Sequence, residues 1–368
     1  MEFIDLKAQY QAYRQEIDSA MAEVLAHGKF IMGPEIAELE EKLAAYVGTK
    51  YCLSVASGTH ALEIALRALG IGPGDEVISV PFTWISTSEV ISLVGAKPVW
   101  VDIDPVTFNM NVDKLEAAIT SRTKAILPVS LFGQMADYER IAAIAAVHGN
   151  IPVIEDGAQS FGATRNGSRS CSCKHTTIAS TSFFPAKPLG CYGDGGALFT
   201  NDDGLYAKMK AIRTHGGERR HYHTCVGMNG RLDTLQAAIL LAKLPHFEGE
   251  VAARGRIGAR YTELFSAVSG VVAPQIAEGN TSVYAQYTIR AADRDGLGVK
   301  LKERGIPTAQ YYPKCLHEQP VYAPLGYKWG DFPEAEKASR EVLSLPMSPF
   351  LSQTDQELIV GSIKEILG

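Results

Sequence analysis

Two reactive side chains stand just beyond short runs that are typical of buried strands. Asp156 follows the run at residues 151–154, and Lys187 follows the run at residues 177–183. A carboxylate at such a place can keep the nitrogen of a heterocyclic ring protonated. Phe184 and Pro185 flank Lys187, and an apolar setting lowers the pKa of a lysine toward the neutral amine that Schiff-base chemistry requires. A helix-capping aspartate and a solvated surface lysine are the ordinary alternatives.

Three further groups could complete a site for a phosphorylated planar ligand. Gln159, three residues after Asp156, carries an amide that can bond an oxygen beside a ring nitrogen. The Ser-Gly-Thr segment at residues 57–59 lies between a predicted strand and a predicted helix, where free amides and the threonine hydroxyl can face a phosphate. Trp84 follows another predicted strand and could stack on a ring. An ordinary helix cap at residue 57 and a core or rim aromatic at residue 84 are the alternatives.

Taken together, these groups match the needs of one cofactor. A pyridoxal phosphate site requires a phosphate cradle, a stacking aromatic, an acid for the pyridine nitrogen and a Schiff-base lysine, and all four are predicted here at strand ends. Two glycine-rich stretches, at residues 70–74 and 190–196, could suggest a nucleotide site. Both lead into predicted strands, whereas a dinucleotide fingerprint opens a helix, so they do not favour that interpretation.

The elements that must position these groups alternate from about residue 50, which predicts an α/β domain. A helix is predicted at residues 59–69 by its apolar spacing. Buried parallel strands carry ligand sites at their carboxyl ends, so the residues after each strand are the candidates for function. Strands are predicted at residues 51–56, 76–80, 98–103, 124–130, 151–154, 177–183 and 197–200.

Beyond about residue 244 the pattern changes. A long helical run occupies residues 247–268, and the last helix is predicted at residues 354–367. Between them lie a helix near residues 295–304 and shorter elements at residues 284–290 and 308–312. We therefore predict a large domain at residues 1–245 and a smaller α+β domain at residues 246–368.

Composition excludes several classes of protein. The 368 residues carry a net charge of −6, which is unsuitable for a dedicated nucleic-acid binder. No apolar run has membrane-spanning length and the first residues lack a signal-peptide pattern, so a cytoplasmic protein without a membrane partner is expected.

The six cysteines show no disulfide framework. Neither the Cys-Ser-Cys segment at 171–173 nor the histidine-containing stretch at 215–225 has a second ligand pair, and no metal is expected.

At this point the sequence resembles the fold-type I, pyridoxal-phosphate-dependent sugar aminotransferases of the DegT/DnrJ/EryC/StrS type. The resemblance covers essentially the whole chain and implies a mainly parallel central sheet sandwiched by helices, with a smaller C-terminal domain. The segments that carry it are residues 3–6, 33–35, 57–59, 101–104, 155–160, 182–187, 193–196, 229–233 and 312–313.

The resemblance also implies roles for individual residues. Lys187 would form the Schiff base with the cofactor and shuttle the proton, Asp156 would pair with the pyridine nitrogen, and Gln159 would contact the ring hydroxyl. Some relatives carry histidine in place of the lysine and perform dehydration, so the lysine here implies transamination. The residues implied to complete the cofactor site are Gly58, Thr59 and Ser182 on the phosphate, Trp84 on the ring, and Asn229 reaching the phosphate of a partner subunit's site.

The segment at residues 182–196, together with residues 128–134, most resembles enzymes that aminate a UDP-linked 3-keto-2-acetamido-2-deoxy-glucuronic acid for bacterial lipopolysaccharide. L-Glutamate would be the amino donor and a homodimer with shared active sites would be the assembly. Arg231 would face the carboxylates, with Tyr311 and Tyr312 as further substrate-binding residues. A surface arginine at a helix start is the alternative for Arg231. Histidine is expected before Tyr312 in this subgroup, so a 4-aminotransferase acting on a 4-keto-6-deoxy nucleotide sugar remains the second hypothesis.

Overall fold

The computed structural model describes residues 1–368 and contains fourteen strands and twelve α-helices. The strands are β1 (Tyr51–Val55), β2 (Glu76–Ser79), β3 (Lys97–Trp100), β4 (Thr123–Ile126), β5 (Ile154–Asp156), β6 (Thr164–Arg165), β7 (Ser168–Arg169), β8 (Ile178–Ser182), β9 (Gly196–Thr200), β10 (Gly217–Arg219), β11 (Tyr222–His223), β12 (Val271–Val272), β13 (Tyr287–Ala291) and β14 (Val342–Leu345). The helices are α1 (Leu6–Ala12), α2 (Arg14–His27), α3 (Pro34–Val47), α4 (Gly58–Ala68), α5 (Ser86–Leu93), α6 (Tyr138–Val147), α7 (Asp203–Arg213), α8 (Thr234–Lys243), α9 (Phe247–Phe265), α10 (Arg294–Glu303), α11 (Pro333–Glu341) and α12 (Gln353–Leu367).

The central sheet consists of two hydrogen-bonded groups with the strand orders β3-β2-β4 and β5-β8-β9-β1. Parallel bridges from Ile126 to Val153 and from Val129 to Asp156 join β4 to β5. Strand β2 runs parallel to β3 and β4, and β5 runs parallel to β8. Only β9 runs antiparallel to its neighbours β8 and β1. The predicted α/β class with a mainly parallel sheet is therefore confirmed.

Both faces of this sheet are covered by helices. In β9, Leu198 packs in a core cluster with residues of α4 and α7, whereas Ala197 and Phe199 pack in another cluster with residues of α3 and α8. Successive side chains of a strand point to opposite faces, so each face meets its own layer of helices. This double burial explains why the strand residues are buried almost throughout and do not alternate with exposed polar ones.

Helix α4 begins where the sequence predicts a turn beside the candidate phosphate site. The Ser57 Oγ accepts a hydrogen bond from the His60 amide at 3.1 Å, which is the usual N-cap arrangement. The capping interpretation of residue 57 is thus correct. Capping leaves the next amides, at Gly58 and Thr59, at the start of the helix without intrahelical acceptors.

The C-terminal part contains a small antiparallel sheet of order β12-β13-β14. Its core cluster is built from residues between Ile257 and Ile363, contributed by α9, α10, α12 and this sheet. Residues such as Leu316 and Phe332 instead pack in the cluster that contains Ile78 of β2. The division into domains at residue 245 stays a prediction.

Several elements differ from the prediction. The segment at residues 308–312, predicted as a short element, forms neither a helix nor a strand, and only Ala309 pairs with a neighbour, Ser344. Strands β3 and β4 end at Trp100 and Ile126, earlier than predicted. The N-terminal helices α1, α2 and α3 and strand β14 were not predicted. None of the helices combines the length and apolarity needed to cross a membrane.

Candidate active site

Asp156 is the last residue of β5, and the neighbouring parallel strand β8 ends at Ser182. The carboxylate is 5% exposed. One of its oxygens, Oδ1, accepts from the Ala158 amide at 3.2 Å, and Oδ2 accepts from the Thr87 hydroxyl at 3.0 Å. Burial raises the pKa of Asp156, while these two hydrogen bonds and the charge of Lys187 oppose the rise. Asp156 is therefore a fixed, buried acid at the carboxyl end of the sheet.

Lys187 lies five residues beyond β8 and is half-buried. Burial lowers the pKa of the Lys187 amine, and the negative charge of Asp156 partly restores it. Each group perturbs the pKa of the other through its charge, so the two side chains lie near each other at this end of the sheet. The geometry agrees with the predicted partly desolvated lysine, although a role for Lys187 in catalysis stays a prediction at this point.

Gly58 and Ser182 meet where helix α4 approaches the end of β8. A Cβ atom at residue 58 would lie 2.8 Å from the Ser182 Cβ, which is closer than such atoms come in proteins. The Thr59 hydroxyl contacts the Ser86 hydroxyl at 2.8 Å, at the start of α5. Backbone amides at a helix N-terminus, together with two or three hydroxyls, form a natural site for a phosphate dianion.

The orientation of the Gln159 amide follows from its partners. Its Oε1 accepts from the Phe132 backbone amide at 2.8 Å, and a backbone N–H can only donate. The Nε2 group therefore faces the Tyr312 hydroxyl, to which it donates at 3.2 Å. Phe132 adopts φ 57°, in the left-handed region that a bulky residue rarely occupies. One N–H of Gln159 is left for a further acceptor, as a contact with a ring oxygen would require.

Aromatic side chains pack around Tyr312, the hydrogen-bond partner of the Gln159 amide. The ring centroid of Tyr312 lies 6.1 Å from that of Phe82 and 6.1 Å from that of Trp84. Trp84 is 58% exposed, so it stands at the mouth of the site and is not a core aromatic. Burial and the nearby charge of Asp156 raise the pKa of the Tyr312 hydroxyl. Tyr311 stacks edge-on against Tyr312 at 5.8 Å.

Asn229 and Arg231 lie apart from these groups within one chain. The Arg231 Nε donates to the Asn229 Oδ1 at 2.9 Å, and no carboxylate pairs with the guanidinium. Gly230 between them accepts from the Ala56 amide at 2.9 Å, which fixes the segment beside the strand that leads to Gly58. Neither side chain contacts Lys187 or Asp156 by a hydrogen bond. Their predicted roles are not tested by a single chain.

Sequence reasoning missed three groups that hold the site together. Thr87 and Ser86, in the first turn of α5, contact Asp156 and Thr59. Phe132 orients Gln159 through its backbone. The only available signal was their position directly after predicted strands, because the contacts join residues that are distant in sequence. No three histidine, cysteine, aspartate or glutamate side chains come together as a metal site.

The residues present fit pyridoxal phosphate in charge and shape. The close approach of Gly58 to Ser182 leaves room for backbone amides, but not for a side chain, at the start of α4. The buried Asp156 carboxylate lies near the Lys187 amine, whose pKa is lowered. The Gln159 amide adds a donor beside them. An anion cradle, an acid for a ring nitrogen and a nucleophilic amine are the donor set that this cofactor needs.

Comparison with known proteins agrees with this chemistry. A Pseudomonas aeruginosa protein named UDP-2-acetamido-2-deoxy-3-oxo-D-glucuronate aminotransferase is 53% identical over 363 residues, covering 99% of each chain. A Geobacillus stearothermophilus protein named pleiotropic regulatory protein is 50% identical over 364 residues, covering 98% of this chain and 97% of that one. The Bacillus subtilis NtdA crystal structure with bound cofactor PMP superposes with a TM-score of 0.90 at 31% identity, covering 97% of this chain and 82% of that chain.

The family match itself extends over residues 11–364. It spans the strand ends, the α4 cradle and the C-terminal part that carries Tyr312. The relatives and the solved structures align over nearly the same length, so the predicted resemblance is confirmed along the whole chain. The chain belongs to the DegT/DnrJ/EryC1/StrS aminotransferase family, and as a member of it the protein is a pyridoxal-phosphate-dependent transaminase.

Proposed function

We propose that the protein transfers the amino group of L-glutamate to the C3 ketone of UDP-2-acetamido-2-deoxy-3-oxo-glucuronate, releasing 2-oxoglutarate. The observation that carries this proposal is the 53% identity, over 99% of both chains, with the Pseudomonas aeruginosa protein named for that substrate. The 3-amino sugar made in this way serves the synthesis of lipopolysaccharide O-antigen in the cytoplasm.

When bound, pyridoxal phosphate supplies an electron sink and a carbon that carries the amino group between the two substrates. Asp156 holds the proton of the ring nitrogen, because its carboxylate is buried, fixed by two donors and close to no other cation than Lys187. The lowered pKa of Lys187 would let its Nζ take the Cα proton of glutamate and deliver it to the cofactor carbon that carries the amino group. In the second half of the reaction it would move a proton from that carbon to C3 of the sugar.

Other groups bind the cofactor without moving protons. The amides of Gly58 and Thr59 and the hydroxyls of Thr59 and Ser182 hold the phosphate at the start of α4. The free N–H of Gln159 donates to the ring oxygen, in the orientation that its bond from Phe132 imposes. Trp84 covers one face of the ring from the mouth of the site, where it is exposed.

Each of the two substrates carries a carboxylate, and a cationic side chain would bind it. Arg231 suits this role, since its guanidinium bonds only the Asn229 amide oxygen and keeps its terminal nitrogens free. Tyr312 contacts Gln159, and Tyr311 packs against Tyr312; both would complete the sugar site. The contact between Tyr312 and Gln159 joins this part of the site to the cofactor.

A homodimer with shared active sites is the proposed assembly. Phe30, Ile31 and Met32 are 45%, 48% and 43% exposed and form a contiguous apolar segment. Ile31 pairs with Asp233, two residues beyond Arg231, so this apolar segment adjoins the one that carries Asn229. Exposed apolar surface next to unpartnered polar groups is typical of an interface. A second copy covering this surface would bring Asn229 to the phosphate of its partner's site.

The experiment follows the visible absorption of the bound cofactor. The enzyme is first converted to its amino form with glutamate and is then challenged separately with the UDP-linked 3-keto uronate and with a dTDP-linked 4-keto-6-deoxy sugar. Recovery of the original spectrum with the uronate alone is expected. Recovery with the deoxy sugar alone would keep transamination and change the substrate. No spectral change with glutamate would contradict the proposed donor.

Two variants separate the roles of the side chains. Lys187→Ala is expected to bind the cofactor and to lose multiple turnover. Arg231→Gln is expected to raise the KM for the uronate about tenfold or more, because a charge-assisted hydrogen bond is lost. Arg256→Gln is the matched control, since Arg256 is an exposed arginine of α9 without an ion pair. An equal effect of both arginine changes would contradict the assignment.

A further inference from the structure

The Thr87 hydroxyl is the only side-chain donor to the buried Asp156 carboxylate. Thr87 is 1% exposed, and its Oγ1 lies 3.0 Å from Asp156 Oδ2. An ionised carboxylate can only accept, so Thr87 gives its single hydrogen to Asp156. The Thr83 hydroxyl lies 3.3 Å from the Thr87 hydroxyl and must then be the donor in that pair. A directed chain of hydrogen bonds therefore runs from Thr83 through Thr87 to Asp156.

The two oxygens of Asp156 are held from opposite parts of the structure. Oδ1 accepts from the Ala158 amide, in the loop after β5, at 3.2 Å. Oδ2 is held by α5, through Thr87. A carboxylate anchored at both oxygens cannot rotate without breaking a bond. The carboxylate plane is thus set before any ligand arrives.

The same turn of α5 contacts the other end of the candidate site. Ser86 contacts the Thr59 hydroxyl at 2.8 Å, beside the phosphate cradle. Trp84 precedes this turn and stands at the mouth of the site. One short segment therefore positions groups at the phosphate, the ring face and the ring nitrogen.

We propose that Thr87 is a positioning residue for Asp156, whose hydroxyl fixes the carboxylate toward the ring nitrogen of the cofactor and preserves its negative charge. This inference rests on the cofactor site described above. Without the hydroxyl, the Asp156 carboxylate becomes more basic and takes a larger share of the proton between it and the ring nitrogen. The ring nitrogen then carries less positive charge, and its capacity to withdraw electrons falls.

Two observable changes follow. The pH at the midpoint of the change in visible absorption of the resting holoenzyme rises. Less positive charge on the ring makes the Lys187 nitrogen that is joined to the cofactor more basic. The kcat falls roughly tenfold, as expected for loss of one hydrogen bond to a charged group. The titratable groups that face Asp156 are Lys187, Glu155, Tyr138 and Tyr312, and none of them is altered by the substitutions below.

The test compares three holoenzymes with the wild type. Thr87→Val removes the hydroxyl and keeps the shape, whereas Thr87→Ser keeps the hydroxyl. Thr200→Val is the matched control, because Thr200 is also fully buried and its hydroxyl donates to the Thr177 carbonyl, outside the site. A raised midpoint and lowered kcat in Thr87→Val, both restored in Thr87→Ser and absent in Thr200→Val, are expected.

An unchanged midpoint in Thr87→Val, or an equal shift in Thr200→Val, overturns the proposal. Should Thr87→Val not fold, Thr87→Cys serves in its place, because a thiol is a weak donor of similar size. A wild-type enzyme that binds the cofactor but fails to accept glutamate contradicts the proposed function instead. The two failures are distinguishable, since the midpoint is read on the resting holoenzyme without substrate.

Discussion

Glu155→Gln should stabilise the protein at alkaline pH and leave its stability nearly unchanged at acid pH. Glu155 precedes Asp156 in β5 and is 2% exposed. Its Oε1 accepts from the Ser170 hydroxyl at 2.6 Å and its Oε2 accepts from the Cys171 amide at 3.0 Å. Burial raises the pKa of Glu155 to about 7, and the nearby charge of Asp156 adds to the rise, despite these two donors.

The direction of the pH effect follows from this raised pKa. The unfolded chain holds Glu155 near its ordinary pKa of 4.5, whereas the folded protein holds it at about 7. Below the lower pKa the group is neutral in both states and costs nothing. As the pH rises through the interval, the unfolded state loses the proton first, so the stability of the folded state falls and levels off above the higher pKa.

The size of the effect follows from the same two pKa values. A rise from 4.5 to about 7 corresponds to about 3 kcal/mol at 1.4 kcal/mol for each factor of ten in proton affinity. Glutamine is uncharged and close in shape to the protonated acid. Its oxygen can accept from Cys171 and its amide can donate to Ser170, whose hydroxyl then turns to Ser160 at 2.8 Å. The variant should therefore keep the hydrogen bonds and avoid the cost of a buried charge.

The assay is chemical unfolding of the wild type and the variant at several values between about pH 4.5 and 8.5, with equal cofactor. The free energy gained by Glu155→Gln should grow across this range toward about 3 kcal/mol. Glu303→Gln is the matched control, because Glu303 is an exposed residue at the end of α10 without an ion pair, and its curve should be flat. A gain independent of pH, or a loss that grows with pH, would refute the assigned charge state.

Three further substitutions test the site and its support. Gly58→Ala should weaken cofactor binding by tenfold or more in a titration of the apoenzyme, because the new Cβ would lie 2.8 Å from the Ser182 Cβ. Tyr312→Phe should lower kcat by about three- to tenfold in steady-state assays, since Gln159 loses an acceptor worth about 1 kcal/mol. Arg213→Leu should cost about 3 kcal/mol in urea unfolding, because it leaves the partly buried Glu40 carboxylate without its cation and removes a donor to the Ser54 carbonyl.

Controls for these substitutions lie elsewhere in the chain. Gly249→Ala in α9 adds a Cβ that meets nothing within 4 Å, so it should leave cofactor affinity unchanged. It should also raise stability by up to about 1 kcal/mol, because alanine favours a helix over glycine. Weaker cofactor binding in this variant as well would contradict the steric explanation for Gly58. Unchanged turnover in Tyr312→Phe would show that Gln159 needs no acceptor there.

The strands were predictable because each is buried on both faces. The residues of β1, β2, β8 and β9 are buried almost throughout, and turn residues bound these runs, so their positions agree with the prediction to within a few residues. The antiparallel direction of β9 was not predictable, since a strand buried on both faces reads the same in either direction. Helix α2 was missed because it buries only Ile17 and Val24 along its length, which gives almost no apolar periodicity.

The site was predictable in part for the same physical reason. Strand ends locate residues in space, and this principle alone predicts that Asp156 and Lys187 lie at one edge of the sheet. It could not find Thr87, because its contact with Asp156 joins residues 69 positions apart. Nor could it find Phe132, whose contribution is a backbone amide turned by a φ of 57°, which its side chain does not signal.

The glycine-rich stretch at residues 190–196 does not have the form of a dinucleotide fingerprint, but its last glycine has a packing role. It leads into strand β9, as predicted, whereas a dinucleotide fingerprint opens a helix. Yet a Cβ at Gly196 would lie 2.6 Å from the Ser57 carbonyl carbon and 2.7 Å from the Gly58 nitrogen. A side chain at residue 196 would push α4 away from the end of β8. Gly196 therefore allows the close backbone packing that holds the start of α4, the candidate phosphate site, against the end of β8.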